Sequence, residues 1–435
     1  MPLLAIIIFC GNVHGAPQWG ALLVYEENPL NSLLSHIKVL DLSRVMAGPW
    51  AGQILADLGA DVIKVERPEV GDDTRSWGPP FLKTPSGETT QESGYYLATN
   101  RGKRSVTIAL NTVKGQEIVR RLARESDIVL ENFKVGTLAR YGLAYEDLKK
   151  VNPSIIYCSM TGFGQTGPKA NQVAYDFLIQ AMGGLMSITG EADDLPGGGP
   201  QKVGIPIVDL MTGMYATIAV QAALARRSVC GKGEYIDIGM LDVQTAMLAN
   251  QAMNYLITDN TPRRFGNGHP NIMPQQVFNC RDGAIVLAVG NDGQFVRLCM
   301  ALRREDLAND PRLVKNVGRV KHRVELLGTL AKEFATWERA LLIEKLSRVD
   351  VPCGPINSVP EVFQDPQVMH REMRVIVDHP LAGKTPLVAS PMRFKEAQKE
   401  QYSAPPLLGE HSDEILGAVG YSNDEIENFR RQNIV

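Results

Sequence analysis

The sequence is short of cysteine and histidine and has no surplus of charge of either sign. Its six cysteines form no Cys-x-x-Cys pair and its seven histidines show no metal-ligand spacing, which argues against a disulfide scaffold and against a metal site. Forty-five Lys and Arg against 48 Asp and Glu give a net charge of −3, which argues against a general nucleic-acid binder. What remains is an ordinary globular composition, 44% hydrophobic and 21% charged.

Long apolar runs are missing as well. The run from Leu3 to Cys10 is too short to span a bilayer, and no positive charge precedes it as in a signal peptide. The first charged residue is Glu26, whereas a mitochondrial transit peptide is rich in arginine. Residues 1–34 are therefore predicted to be a disordered leader. Residues 170–190 and 203–225 are almost uncharged but are interrupted by glycine and polar residues, so we predict no transmembrane segment and no membrane partner.

Several familiar catalytic motifs are also absent. The sequence contains no Walker A motif, no Gly-x-Ser-x-Gly and no His-Glu-x-x-His. A dinucleotide fingerprint would place Gly-x-Gly-x-x-Gly directly after the first strand, but Val45 to Gly52 reads VMAGPWAG. These absences argue against an NTPase, a serine hydrolase of the common type, a zinc peptidase and a nicotinamide dehydrogenase.

Short apolar strands alternate with helical stretches from Ile37 onward. This alternation is typical of βαβ units and predicts an α/β fold with a parallel sheet covered by helices on both faces. Functional groups in such sheets sit in loops at the carboxyl ends of the strands. The predicted strands are 37–42, 61–65, 105–109, 127–130 and 155–159, and the corresponding loops are 43–50, 66–80, 131–136 and 160–168.

The alternation of strands and helices ends after a long helical region near 210–225. A polar turn containing glycine follows at 226–233, and Asp282-Gly283 has the composition of a hairpin turn between two strands. A charged helical stretch occupies 294–348. These features indicate a smaller α+β domain, from which the chain returns near Val351 to Pro355.

Two carboxylates stand alone in apolar surroundings. Asp176 is the only charged residue between Lys169 and Glu191, and Asp209 is the only one between Lys202 and Arg226. A charge in such a segment is costly unless it is hydrogen-bonded or paired. Each Asp lies where a helix can begin, so each is interpreted either as an N-cap or as a carboxylate nucleophile held at a helix N-terminus.

Basic residues near the ends of the predicted strands form a second set of candidates. Their placement would suit a phosphate-bearing ligand, although most surface Lys and Arg are only solvated. His269 lies in Gly266-Asn-Gly-His-Pro270 and is interpreted as a turn residue or as a catalytic one. The basic set is Arg67, Lys103, Arg104, Lys134 and Arg140.

Several motifs together resemble the class III CoA-transferases, the family of formyl-CoA transferase and carnitine CoA-transferase. The resemblance covers about residues 35–435. It rests on the order and spacing of Ile37 to Pro49 (IKVLDLSRVMAGP), Leu58 to Pro68 (LGADVIKVERP), Asn100 to Ser105 (NRGKRS), Glu131 to Phe133 (ENF), Thr161 to Pro168 (TGFGQTGP), Asp209 to Gly213 (DLMTG), Gly266 to Pro270 (GNGHP) and Pro406 to His411 (PLLGEH).

The resemblance implies a Rossmann-like large domain with an inserted smaller α+β domain, in two subunits that interlock as a homodimer. The predicted division is 35–225 for the first part of the large domain, 226–349 for the small domain and 350–435 for the return segment that completes the large domain.

The resemblance also implies a reaction. Asp209 would be the nucleophile, attacking an acyl-CoA and forming an aspartyl-CoA thioester, with coenzyme A as substrate and no permanently bound cofactor or metal. The branch of the family that the sequence most resembles moves CoA from succinyl-CoA to glutarate or hydroxymethylglutarate. Asp176 and His269 would support the active site. The implied CoA contacts are Arg67, Lys103, Leu110, Asn111, Asn132, Phe133 and Arg140.

Two departures from the family pattern are visible. Formyl-CoA transferase covers its nucleophile with a run of four glycines, and no such run occurs between 260 and 300; Gly197 to Gly199 lies too early to replace it. A CoA-contacting Gln of that enzyme corresponds to Met46 here.

Two alternative functions remain open. An α-methylacyl-CoA racemase shares the fold, but it needs a His/Asp pair, and Tyr175 precedes Asp176 where that His would stand. A non-catalytic acyl-CoA-binding protein is the other alternative, and the intact motif around Asp209 argues against it. The resemblance implies a mitochondrial location, with the cytoplasm as the alternative because the N-terminus lacks transit-peptide features.

Overall fold

A computed structural model describes residues 32–397 and 402–435. The predicted leader falls mostly outside the described residues. Its last residue, Leu34, is buried and donates its backbone N–H to the carbonyl of Leu58 (2.9 Å). Leu34 is therefore part of the folded core.

The described residues form thirteen strands, nineteen α-helices and one 3-10 helix, Asp73–Ser76. The strands are β1 (Lys38–Asp41), β2 (Asp61–Glu66), β3 (Phe81–Lys83), β4 (Thr89–Ser93), β5 (Lys103–Thr107), β6 (Ile128–Glu131), β7 (Ile156–Thr161), β8 (Glu234–Gly239), β9 (Gln275–Cys280), β10 (Gly283–Ala288), β11 (Cys353–Pro355), β12 (Arg374–His379) and β13 (Gly383–Val388). The helices are α1 (Ala47–Asp57), α2 (Gly94–Leu97), α3 (Val113–Arg124), α4 (Thr137–Arg140), α5 (Tyr145–Val151), α6 (Asp176–Met182), α7 (Leu185–Ile188), α8 (Ile207–Cys230), α9 (Met240–Met247), α10 (Ala249–Thr258), α11 (Asp292–Ala301), α12 (Glu305–Asn309), α13 (Asn316–Lys321), α14 (Arg323–Phe334), α15 (Arg339–Ser347), α16 (Val359–Val362), α17 (Pro366–His370), α18 (Ser412–Ala418) and α19 (Asn423–Arg431).

The main sheet has six parallel strands in the order β5-β2-β1-β6-β7-β8. Strands β6 and β7 are buried along their whole length, as expected for a parallel sheet covered on both faces. The predicted α/β class with a parallel sheet is confirmed. The chain builds outward from β1 through β2 to β5 and then returns to the other side of β1 as β6. The carboxyl ends of β1 and β6 therefore form the crevice where ligands bind in such sheets.

Two apolar clusters cover the two faces of this sheet. One contains Leu40, Val106 and Ile118 and is completed by Ile415 and Phe429 from the C-terminal helices. The other contains Ala47 and Leu55 of α1 together with Val220 of α8. The end of the chain thus packs into the core of its first half.

A second sheet of three antiparallel strands, β11-β10-β9, has its own apolar core with helices α11 to α15. Strands β9 and β10 pair as a hairpin, which confirms the predicted one; its turn is Arg281-Asp282, and Gly283 is the first residue of β10. The change of pattern predicted at 226 falls within α8, and the following strand β8 joins the main sheet. The division into domains otherwise stays a prediction.

Helix α8 alone, among the helices of the described residues, is long and apolar enough to cross a membrane. In the fold it packs along α1 and against β7 and β8. We therefore interpret it as a core helix of the α/β unit.

Candidate active site

Asp209 is the third residue of α8, and the N-cap of that helix is Pro206. Asp176 is the first residue of α6, whose N-cap is Tyr175. The interpretation of either carboxylate as the N-cap of its own helix is therefore wrong. Pro206 has no side-chain hydrogen bond to the helix, so the first turn of α8 needs an acceptor from elsewhere.

Asp176 supplies that acceptor. Its Oδ1 accepts the backbone N–H of Val208 (2.7 Å) and that of Asp209 (3.3 Å), while its Oδ2 accepts the side-chain amide of Gln180. The side-chain oxygen of Gln180 accepts the backbone N–H of Val203, in the segment that leads into α8 (2.9 Å). Asp176 thus caps a neighbouring helix and fixes the turn that carries Asp209.

The Asp209 carboxyl lies in a poorly solvated position beside a second acidic group. Burial and, secondly, the charge of Asp176 raise the pKa of Asp209 to about 7. Within the described parts of the chain, no basic side chain forms an ion pair with it. The N-terminal end of α8 favours a negative charge at this position. Burial and the Asp176 charge outweigh this favourable effect, as the raised pKa shows, so the carboxylate is poorly stabilised as an ion.

Tyr95 of α2 also faces this pair of acids. Burial and the charges of Asp209 and Asp176 raise the pKa of its phenol. Its ring meets the edge of Trp77 at a centroid distance of 5.2 Å. Sequence reasoning missed both aromatic residues, because Tyr95 lies in a helix of only four residues and Trp77 in a short connection, and no motif or periodicity marks either one.

The N-terminus of α1 approaches the same turn of α8. A Cβ placed on Gly213 would lie 2.5 Å from the carbonyl oxygen of Ala47 and 3.0 Å from the Trp50 ring, so only glycine fits there. Asp209 lies four residues earlier on the same face of α8. The start of α1, which has no side-chain cap, is therefore within about one helical turn of Asp209.

The crevice between β1 and β6 brings predicted residues together. The Asn132 side chain accepts the backbone N–H of Arg44 (2.8 Å) and donates to its carbonyl oxygen (2.6 Å). The Arg44 guanidinium lies over the Phe133 ring, 5.2 Å from its centroid. Asn132 and Phe133 thus join the loops that follow the two central strands.

Exposed cations lie at the rim of this crevice. Arg67 and Arg44 both pair with Asp73, at 2.7 and 3.1 Å. Arg104 instead forms a paired contact with Asp61, and Arg140 lies exposed at the end of α4. Arg67, Arg44 and Arg140 are thus accessible to an anionic ligand.

Lys103 is placed differently from these cations. Its side chain is fully buried, and its ammonium donates to Asp41 Oδ2 (2.8 Å), to the Pro49 carbonyl (2.9 Å) and to Asn100 Oδ1 (3.0 Å). Burial lowers its pKa to about 8 despite Asp41. With its three protons already donated, Lys103 does not offer a cation to a phosphate in this structure, and it holds the start of α1 instead.

The remaining predicted contacts follow the carboxyl ends of β5 and β6. Leu110, beyond the end of β5, packs on the main core, and Asn111 beside it is exposed. Phe133 and Lys134 line a cavity of about 260 Å³ together with Glu131, Tyr145 and Tyr235. Burial raises the pKa of Glu131 to about 7, and its carboxylate accepts the backbone N–H of Phe133 (2.8 Å).

His269 has the contacts of a turn residue. Its Nδ1 accepts the backbone N–H groups of Asn271 and Ile272 (3.1 Å each), and Arg323 donates to its carbonyl oxygen (2.8 Å). Burial, followed by the nearby Arg323, lowers its pKa. Its hydrogen-bond partners among the described residues all lie in the second half of the chain, so a role beside Asp209 stays a prediction.

Residues 32–397 and 402–435 contain no group of three or more His, Cys, Asp or Glu arranged to hold a metal ion.

The chain is similar to known CoA-transferases. A family model for CoA-transferase family III matches residues 34–412. The chain is 50% identical to the succinate–glutarate CoA-transferase of Agrobacterium fabrum, over 89% of this chain and 95% of that one. It is 40% identical to the human succinyl-CoA:glutarate CoA-transferase, over 95% of this chain and 91% of that one. A solved CaiB/BaiF family protein from Brucella suis is similar with a TM-score of 0.76 and 48% identity, over 88% of this chain and 98% of that one.

Proposed function

The chain belongs to CoA-transferase family III, and we propose that it moves CoA from succinyl-CoA to a free dicarboxylate such as glutarate or hydroxymethylglutarate, with Asp209 as the nucleophile. That it is a CoA-transferase follows from the family and from its relatives. The observation that carries the proposed mechanism is the carboxylate of Asp209 at the start of α8, which is poorly solvated, faces Asp176 and has no ion-pair partner among the described residues. The choice of acids is supported by the names of the bacterial and human relatives.

The proposed reaction proceeds by two exchanges at the Asp209 carboxylate. The ionised carboxylate attacks the thioester carbonyl of succinyl-CoA, and the CoA thiolate leaves as an acyl-aspartyl anhydride forms. The thiolate then attacks the aspartyl carbonyl carbon and releases succinate, which leaves CoA on Asp209 as a thioester. The carboxylate of the acceptor attacks this thioester and displaces the thiolate. The thiolate finally attacks the acyl carbon of the acceptor, which regenerates the Asp209 carboxylate.

The surroundings of Asp209 suit these steps. Each one is a transfer between carboxylate and thiolate, so the site needs a reactive anion and little water. Burial keeps the carboxylate from being stabilised by solvent, and the Asp176 charge disfavours the anion further. The start of α1, which has no side-chain cap, offers a positive backbone dipole to the negative charge that develops on the attacked carbonyl.

CoA would lie in the crevice between β1 and β6 and extend along its rim. Phosphates require exposed cations, which Arg67 and Arg140 provide, and Arg44 is placed to add a third. Leu110 and Asn111 would meet the adenine, with Asn132 and Phe133 contributing the wall near Arg44.

We also propose that two chains form the active unit. Large apolar side chains are exposed on three helices of the described residues, including Phe177 on α6, Ile218 on α8 and Leu256 and Ile257 on α10. Exposed apolar groups in such number are typical of a surface that another chain covers. Light scattering after gel filtration would give twice the mass of one chain, and a monomeric mass would contradict this proposal.

The resemblance to the animal enzymes supports a mitochondrial location, with the cytoplasm as the alternative. Fractionation of cells that express the chain with its own N-terminus distinguishes the two.

The proposed reaction is tested by incubating the purified protein with succinyl-CoA and a panel of free dicarboxylates, while both acyl-CoA species are followed by chromatography. Glutaryl-CoA or hydroxymethylglutaryl-CoA should appear as succinyl-CoA disappears. Incorporation of deuterium from solvent at the α-carbon of a branched acyl-CoA, without transfer, would instead indicate a racemase. Binding of acyl-CoA without any product would indicate a non-catalytic protein.

A further inference from the structure

Val45 adopts a backbone conformation that its side chain disfavours. It lies between β1 and α1 with φ of 69°, in the left-handed region, where a β-branched residue crowds its own backbone. Such a conformation persists only where the surrounding structure holds it, and residues of this kind cluster at functional sites.

A buried ion pair holds the segment at both ends. The Val45 backbone N–H donates to the two carboxylate oxygens of Asp72 (3.3 and 3.2 Å). Asp72 pairs with Lys64 at 2.9 Å, and both side chains are fully buried. The Lys64 ammonium also donates to the carbonyl oxygen of Ser43 (3.0 Å). One ion pair thus fixes the carbonyl of Ser43 and the N–H of Val45, on either side of Arg44.

Asp72 is itself firmly held. It also accepts the backbone N–H and the hydroxyl of Thr74 (2.9 and 2.7 Å). Burial alone would raise its pKa, but Lys64 and these hydrogen bonds lower it to about 2. Asp72 therefore keeps its charge throughout the range in which an enzyme works, and it has no exposed surface with which to bind substrate.

The held segment leads directly to the reacting carboxylate. Helix α1 begins at Ala47, two residues after Val45, and a Cβ on Gly48 would overlap the Ser43 side chain at 2.1 Å. The start of α1 therefore cannot move without moving the segment 43–45. The Ala47 carbonyl in turn packs on Gly213, one helical turn from Asp209 on the same face of α8.

We propose that Lys64 and Asp72 are positioning residues for the transfer reaction, which act by holding Val45 in its left-handed conformation and so place the N-terminus of α1 beside Asp209. The inference rests on the proposed function of Asp209. The uncapped N–H groups at the start of α1 are then directed at the negative charge that develops during attack on the thioester. A shift of this helix should lower kcat and leave KM almost unchanged.

Glycine at position 45 makes the inference testable, because glycine adopts φ near 69° without the help of Asp72. Asp72→Asn removes the charge that pairs with Lys64 and one of the two oxygens that accept the Val45 N–H, so it should lower kcat by about 10- to 100-fold, the size expected for misplaced catalytic groups. Val45→Gly should stay within about twofold of the unchanged enzyme. The double variant Val45→Gly/Asp72→Asn should recover at least about tenfold of the lost kcat. A double variant as slow as Asp72→Asn, or an Asp72→Asn enzyme with normal kcat, would overturn the inference.

A matched control separates positioning from stability. Asp57 at the other end of α1 forms a comparably buried ion pair with Arg101. Asp57→Asn should lower the melting temperature as Asp72→Asn does, while kcat stays close to normal. An equal loss of kcat in both variants would contradict a positioning role.

A second pair of substitutions and the Asp209→Ala variant complete the test. If Asp72→Asn does not fold, the paired change Lys64→Met/Asp72→Leu removes the same hydrogen bonds without leaving a buried charge, and its kcat should again be restored by Val45→Gly. Asp209→Ala is assayed in parallel. An active Asp209→Ala enzyme would refute the proposed function, whereas an inactive one together with a failed glycine rescue would refute only the role of Lys64 and Asp72.

Discussion

The backbone N–H of Asp209 donates to the carboxylate of Asp176, at 3.3 Å. The same contact brings a second negative charge close to the proposed nucleophile. Asp176 therefore does two things at once: it caps the helix that carries Asp209, and it raises the pKa of the Asp209 carboxyl. A carboxylate that is rigidly placed but poorly stabilised as an anion is well suited to attack a thioester.

The first prediction concerns the pH dependence of transfer. Because burial and Asp176 raise the pKa of Asp209 to about 7, kcat/KM should fall as the pH drops below about 7, where the carboxyl becomes protonated. Asp176→Asn keeps an acceptor for the Val208 N–H and removes the neighbouring charge. It should move the fall of kcat/KM to lower pH. The control Asp378→Asn, on the exposed β12–β13 hairpin, should leave the pH profile unchanged. If Asp176→Asn left the pH dependence of kcat/KM unchanged, the effect of the Asp176 charge on the pKa of Asp209 would be contradicted.

A second prediction follows for stability. The Asp209 carboxyl has a pKa of about 7 when folded, against an ordinary value of 3.8. Above pH 4 the unfolded chain therefore releases this proton more readily than the folded chain, and stability is lost as the pH rises toward 7. Asp209→Asn removes this loss. It should be neutral at pH 4 and stabilise the protein by about 2–4 kcal/mol at pH 8, measured by urea unfolding. Equal effects at both pH values would contradict the raised pKa.

The third prediction separates two predicted CoA contacts. Lys103→Met leaves Asp41 buried without its partner, so it should destabilise the protein by about 3–5 kcal/mol. Arg67→Ala removes an exposed cation and should leave stability nearly unchanged while it raises KM for succinyl-CoA. Thermal unfolding and steady-state kinetics on both variants check this contrast. A stable Lys103→Met protein with a raised KM would restore the phosphate-binding role of Lys103.

The fourth prediction concerns the contact between α1 and α8. Gly213→Ala forces a methyl group to within 2.5 Å of the Ala47 carbonyl, so it should destabilise the fold by about 1–3 kcal/mol and lower kcat. Gly328→Ala in α14 meets no atom within 4 Å and should be neutral or stabilising, because alanine favours a helix. If Gly213→Ala behaved like Gly328→Ala, the close approach of the two helices would be refuted.

Much of the fold could be predicted because strands buried on both faces of a parallel sheet have mostly apolar sequences. Strand β7 is buried throughout, and its sequence predicted it within two residues. Asp176 and Asp209 could be found because they are the only charges in long apolar segments. The contact between them could not be predicted, because nothing in the sequence shows that Asp176 caps the helix that carries Asp209.

Contacts between distant segments set the limit of prediction. Lys103 is predicted at a strand end like the exposed cations, but Asp41, 62 residues earlier, draws it into the interior. Tyr95 comes from a short connection without periodicity and reaches the acids only through the folded arrangement. The strained Val45 likewise depends on Asp72, which the sequence places 27 residues away.

The central claim is that Asp209 carries CoA during transfer. It is tested most directly by mixing the protein with succinyl-CoA in the absence of acceptor, quenching in acid and measuring the mass of the peptide that contains Asp209. We predict a CoA adduct on that peptide, absent from Asp209→Asn and lost when glutarate is added. An unmodified Asp209 peptide in an enzyme that still forms glutaryl-CoA, or an adduct on another residue, would contradict the account.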